Sequence, residues 1–166
     1  MVFPAATDER LDEIDLRDVW TGAQELLDVD IQNAGIELTL TQPNRPVLVR
    51  GNHLRLEQVL INLVRNAIAA MDSTNHRAIH IGIDIKGGRA LLSVADSGQG
   101  LGDYSLEQLQ EPFLTTRASG EGMGLGLAIS TEIIKEHDGR LTAQSQPEGG
   151  ALFAMDLPLA EQKEAA

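Results

Sequence analysis

The chain has 166 residues, 42% of them hydrophobic, which suits one domain with a real core; aromatics are only 3%, so that core must be Leu, Ile, Val and Ala. Asp and Glu number 25 against 13 Lys and Arg, and the net charge of −12 makes nucleic acid and anionic lipid poor partners. Without cysteine there is no disulfide, thiolate metal site or cysteine nucleophile, a composition that fits a reducing compartment.

Residues 1–14 carry Pro4 and mixed charge and read as a linker or tail; MVFPAATDER lacks the pattern of a signal peptide. No apolar run approaches the roughly 18 residues of a membrane span, so any membrane connection would lie outside this chain. Leu16, Val19, Trp20, Ala23, Leu26, Leu27 and Ile31 keep helical spacing, which predicts a helix from Asp15 to about Asn33, ended by Gly35. Residues 36–41 (IELTLT) alternate like a strand, 43–46 (PNRP) are a turn and 47–50 (VLVR) a short strand. From Asn52 to Met71 the apolar residues Leu56, Val59, Leu60, Leu63, Val64, Ala67 and Ile68 mark one face of a helix that Asn52 can cap.

After a polar loop, residues 78–85 and 90–95 predict a hairpin turning at Gly87-Gly88. Residues 102–122 form a long irregular connection, a length that is usually functional. A helix over residues 125–137 follows, opened by Gly124 and Gly126, stopped by Asp138-Gly139, with Leu127, Ile129, Ile133 and Ile134 turned inward. Residues 141–146 and 151–157 are two more strands around a turn, and 160–166 are a charged tail, leaving 15–159 as the domain. The tally predicts an α+β fold: a two-layer α/β sandwich, with a mixed sheet of about five strands and three helices on one face.

Gln58, Asn62 and Asn66 form one i, i+4 row at the border of the apolar stripe. An amide there must be hydrogen-bonded or hold something, and two of them a turn apart can face one object. The simpler reading is a polar helix edge bonded to nearby loops. Asp96 ends a strand before Gly98 and Gly100 and can accept from an amine such as that of adenine; Asp-Ser-Gly is also ordinary turn chemistry. The alternating Gly120, Gly122, Gly124 and Gly126 at a helix entrance can admit phosphates to backbone N–H groups, or form a plain hinge. They match neither G-x-x-x-x-G-K-[ST] nor G-x-G-x-x-G after a strand. A helix end supplies only about 0.3–1 kcal/mol per charge, so a triphosphate on so acidic a protein needs local cations. Mg²⁺ is the natural one, with an oxygen from Asn62 or Asn66. Arg65 and Arg117 are further candidates, a solvated surface position being the simpler reading of Arg65.

Taken together, Asn62-Leu-Val-Arg-Asn66-Ala67, Asp96-Ser-Gly-Gln-Gly100, Glu111-Pro-Phe-Leu-Thr-Thr-Arg117, Gly122-Met-Gly-Leu-Gly126-Leu and Gly149-Gly150-Ala-Leu-Phe153 resemble the ATP-binding catalytic domain of sensor histidine kinases, within the group that includes gyrase, Hsp90 and MutL. EPFLTTR and the Ala-Ala-Met after the second Asn look most like the nitrogen-regulation and C4-dicarboxylate sensor branch. The resemblance implies a Bergerat-type fold, ATP as nucleotide and Mg²⁺ as metal. It places Asn66 on the metal and Asn62 in the metal and phosphate shell. Asp96 would read adenine, with Gly98, Gly100 and Leu101 around the base. Gly122, Met123, Gly124, Leu125 and Gly126 would surround the phosphates. Residues 102–121 would be a lid packed by Phe113, and Thr115, Thr116 and Arg117 would place the terminal phosphate. Where many relatives carry a Lys and an aromatic, this chain has Ala69 and Ala70, which throws weight on Arg117.

The ATPases of the wider group carry a Glu one turn before the metal Asn, as general base; here that residue is Asn62, and an amide cannot take a proton near neutral pH. Asn62 and Arg117 are therefore the catalytic candidates of a kinase with little hydrolysis of its own. The family's phosphoacceptor His sits on a dimerisation helix beside an acid. His53, His76, His80 and His137 have no such context, so the acceptor is expected on dimerisation helices outside this chain. Further expectations are a response regulator as indirect partner, no nucleic acid, a monomeric isolated domain, and a cytoplasmic location as part of a membrane-bound sensor. The alternatives are a nucleotide switch of the anti-sigma-factor kinase type and a gyrase-type ATPase.

Overall fold

The computed structural model describes residues 11–102, 104–109 and 123–160, with residues 123–125 as helix backbone only. The first strand, β1 (Asp12–Asp15), lies mostly inside the stretch expected to be a linker. Its DEID sequence has no apolar alternation to betray it. What holds it is tertiary: antiparallel pairing with β3 (Leu48–Gly51), and Ile14 packed against the core. Asp15 then caps α1 (Leu16–Asn33), accepting from the Arg17 backbone N–H at 3.0 Å. The same oxygen accepts from the Val47 N–H at 3.1 Å, so one carboxylate fixes both the helix start and the entry to β3.

The helix buries Leu16, Val19, Trp20, Ala23, Leu27 and Ile31, while Leu26, counted in the same apolar series, is 61% exposed. Strand β2 (Glu37–Thr41) follows, then β3, then α2 (His53–Ala70), capped by Asn52 as its spacing predicts. This β2–β3–α2 passage carries the chain back, so β2 pairs parallel with β4 (Ala78–Lys86). The hairpin to β5 (Arg89–Asp96) and the later pair β6 (Arg140–Ser145) and β7 (Ala151–Pro158) are antiparallel. The five-stranded mixed sheet has the order β2-β4-β5-β7-β6. A Val49–Leu159 bridge and an Ala160 N–H to Leu48 carbonyl bond bring the end of β7 to the small β1–β3 sheet.

Among the described residues of the stretch expected to be an irregular connection lies a short helix, α3 (Leu106–Leu109). The last helix, α4 (Met123–Glu136), starts two residues earlier than predicted. It turns Leu127, Ser130, Ile133, Ile134 and His137 inward. Ile129, expected to face in, is 44% exposed, because the buried stripe runs through Ser130 instead. Asp138, at φ 58°, ends the helix.

The helices line up around α2. Gly22 lies against Glu57 and Asp30 near Arg65, so α1 runs parallel to α2. Asn62 meets Ser130 and Arg55 meets Glu136, so α4 runs antiparallel on the other side. At the far end His137 locks the pair: its Nδ1 donates to the Ile133 carbonyl at 2.7 Å and its Nε2 accepts from the Asn52 N–H at 3.0 Å. Helix α2 also packs on β5, and α4 on β6, giving the two layers expected.

Candidate functional site

Asn62, Asn66 and Ala70 stand at i, i+4 and i+8 on α2, one stripe about 12 Å long. Each end of this stripe meets a different part of the chain. At one end, a Cβ on Gly126 would run into the Asn62 amide, its Nδ2 being only 2.9 Å away. At the other, a Cβ on Gly98 would sit 2.6 Å from the Ala70 carbonyl oxygen. These two glycines are therefore required for close approach, by the first turns of α4 and by the loop after β5. Asn66, 8% exposed, lies between them. The two amides, the loop of Asp96 and the glycine-rich helix entrance thus share one strip of α2. Gln58, the third amide of the row, is exposed.

Asp96 is 4% exposed. Its Oδ1 accepts from the Gly98 N–H at 2.8 Å and the Ala151 N–H at 3.2 Å. Burial pushes its carboxyl above the ordinary aspartate value, and the bonds from Gly98 and Ala151 pull it back only in part. The Gln146 amide donates to the Asp96 carbonyl at 3.0 Å, and the Leu101 N–H donates to Ser145 Oγ at 3.0 Å. Gly100, at φ 77°, rests near the Gly150 carbonyl. Gly100 and Leu101 thus lie against the β6–β7 turn, and Leu101 packs on the core. On the other side Ser97 Oγ accepts from the Ala78 N–H and Gln99 donates to Ser73, which stitches the loop to the segment after α2.

Ser130, Ser145 and Gln146 are structural partners of the site that sequence reasoning missed. Only Ser130 left a signal, lying four residues after Gly126 on the predicted helix. Of the other expected residues, Met123, Gly124 and Leu125 form backbone of the first turn of α4. Thr115, Thr116, Arg117, Gly122 and Phe113 lie outside the described residues. Arg65 is 60% exposed, with Asp30 of α1 at 3.6 Å, on the opposite flank of α2 from Ser130.

The donor set suits a hard cation bound together with a polyanion. Neutral amide oxygens are weak ligands alone, and among the described residues no cluster of three His, Cys, Asp or Glu could hold a metal. A Mg²⁺ here would need oxygens from the phosphates as well.

Residues 51–161 match a family model described as histidine kinase-, DNA gyrase B-, and HSP90-like ATPase. The two-component sensor PprA of Pseudomonas aeruginosa is 39% identical over 150 residues, 87% of this chain and 16% of PprA. The C4-dicarboxylate transport sensor protein DctB of Rhizobium meliloti is 37% identical over 142 residues, 86% of this chain and 22% of DctB. Among solved structures, the nucleotide-free catalytic domain of histidine kinase ThkA superposes with a TM-score of 0.79 at 28% identity, over 90% of this chain and 95% of that one. The chain spans less than a third of the length of the curated relatives it matches.

Proposed function

Because the chain belongs to the family of histidine kinase-, DNA gyrase B- and HSP90-like ATPases, we propose that it is the Mg-ATP-binding catalytic domain of a two-component sensor histidine kinase. The observation that carries this reading is the convergence of the Asp96 loop and the α4 entrance on the Asn62–Asn66–Ala70 stripe. Asp96, held by two N–H groups, presents a buried carboxylate to the amine of adenine, and Gly98 lets its loop close onto the end of α2. Asn66 supplies an amide oxygen for Mg²⁺, with Asn62 in the same shell. The first turn of α4 offers backbone N–H groups and the positive end of its dipole to the phosphates. Arg117, Thr115 and Thr116 complete the set. Bound Mg²⁺ would neutralise charge on the phosphate oxygens.

The chain's own groups bind and orient; none is a base for water at Asn62. The nucleophile is a His on a separate dimerisation segment, and a response regulator receives the phosphoryl group downstream. Within the chain, His137 is a poor acceptor because both of its ring nitrogens are bonded inside the fold, and one ring nitrogen of His80 is taken by Thr39 at 2.7 Å. His53 and His76 are read as non-acceptors because neither lies on a dimerisation helix. Among the described residues no helix is long and apolar enough to cross a membrane. The domain is monomeric and works on the cytoplasmic side of a membrane-bound sensor.

Calorimetric titration with a non-hydrolysable ATP analogue, with and without Mg²⁺, tests the reading. The wild-type chain should bind in a Mg²⁺-dependent way, and Asn66→Ala should lose that binding while its circular dichroism stays native. Normal binding by a folded Asn66→Ala protein would overturn the site.

A further inference from the structure

Ser130 is a polar side chain on the buried face of a helix, 2% exposed among Leu127, Ile133 and Ile134. A hydroxyl there needs a reason, since burying it costs free energy unless it is bonded. Its partner is Asn62 across the α2–α4 contact: Asn62 Nδ2 donates to Ser130 Oγ at 3.2 Å. Gly126, one turn earlier on α4, is what lets the amide lie flat against this helix, because any Cβ there would displace it. A helical serine can give its own hydroxyl proton to the carbonyl four residues back, which leaves its oxygen to accept. Among the described residues no protein group donates to Asn62 Oδ1, and this oxygen lies against Gly126 near the α4 entrance.

We propose that Ser130 is a positioning residue. By taking one N–H of the Asn62 amide it holds that side chain in one orientation and presents its oxygen toward the metal-bound triphosphate. The inference rests on the nucleotide-site reading above and adds to it the group that orients one of its members. Partners in the outer shell of a metal site commonly change affinity by about 10- to 100-fold when removed.

Four proteins suffice to test this: wild type, Ser130→Ala, Asn62→Ala and the double variant. In the absence of nucleotide, the side-chain amide resonances of Asn62 should shift, and exchange faster with solvent, in Ser130→Ala. Affinity for the ATP analogue in Mg²⁺ should fall about 10-fold in Ser130→Ala, while affinity in EDTA stays as in wild type. On the Asn62→Ala background the serine substitution should cost nothing further, which a merely structural role would not predict. An undiminished loss on that background, or an unchanged Asn62 resonance, would overturn the positioning role. Absence of Mg²⁺-dependent binding in the wild type would instead overturn the site reading beneath it. If Ser130→Ala does not fold, the equal-shaped pair Ser130→Thr and Ser130→Val isolates the hydroxyl: Thr should bind as wild type and Val should not.

Discussion

Two aspartates show how one side-chain type is driven in opposite directions by its surroundings. Burial favours the neutral form of Asp15, but the hydrogen bonds from the Arg17 side chain, the Arg17 and Val47 backbones and the charge of Arg17 outweigh it, and its carboxyl lies below the ordinary 3.8. Its contribution to stability is therefore complete above that value and is lost as pH falls through the lower folded-state value. Asp15→Ala should cost about 1–2 kcal/mol at pH 7, as loss of a helix cap does, and less in strong acid. Urea unfolding followed by the single tryptophan, Trp20, at pH 7 and below pH 3 checks this. At Asp96 burial wins, and its carboxyl is raised above 3.8. The sign is then reversed: protonation stabilises the fold, fully below the ordinary value, and that gain is gone once pH has risen through the raised one. At neutral pH the ionised group is a cost, offset on the proposed reading by the adenine amine it would receive. Asp96→Asn keeps an oxygen for the Gly98 and Ala151 N–H groups, so it should unfold no earlier than wild type. It should bind the ATP analogue about 10-fold or more weakly, having lost a charged acceptor. Wild-type affinity should begin to fall on acidification at a pH above that of an ordinary aspartate.

Helix α2 was readable from its apolar spacing and its Asn cap because both signals are local. So were the hairpin at Gly87-Gly88 and the end of α1 at Gly35. Strand β1 was not readable, because its only warrant is the β3 ladder beside it and the Ile14 contact beneath. The inward face of α4 was misread at Ile129 for a related reason: hydropathy ranks Ile above Ser, but the neighbouring helix offers Ser130 an amide partner. At the site, the residue types at Asn62, Asn66 and Asp96 and the glycine spacing were visible in the chain. The partners supplied across the fold, Gln146, Ser145 and Ala151 among them, depend on which loop lands beside which. The contact between the Asp96 loop and the end of α2 can be tested directly. In Gly98→Ala the new methyl would meet the Ala70 carbonyl, which is backbone and cannot swing aside. The loop must then lift from α2, at a cost of about 1–3 kcal/mol. Both the thermal midpoint and the affinity for the ATP analogue should drop, whereas Gly87→Ala, at a turn open on all sides, should leave affinity unchanged.

For the molecule as a whole, the small β1–β3 sheet decides where the folding unit begins. The Leu159 bridge and the Ala160 N–H join the end of β7 to β3, while β1 covers the other edge of β3. A boundary drawn at residue 15 from composition would cut β1 away. A protein starting at Asp15 keeps the carboxylate that caps α1 but loses the β1–β3 ladder and the apolar cover that Ile14 gives the core. Losing one partly buried Ile and a short ladder should cost about 1–2 kcal/mol. At this chain length that is a fall of roughly 2–8 °C in the thermal midpoint. The proposed nucleotide stripe lies on the opposite half of α2, with Asn62 and Asn66 beyond the end that β3 and Asn52 hold. Melting the β1–β3 edge should therefore lower the midpoint while leaving the Mg²⁺-dependent affinity, measured well below that midpoint, within about twofold of wild type, as expected for distant sites that share no partners. Calorimetric melting and titration of the same two proteins provide both readings. An affinity loss in step with the stability loss would mean that the small sheet and the nucleotide stripe act as one unit, and that α2 transmits strain along its length.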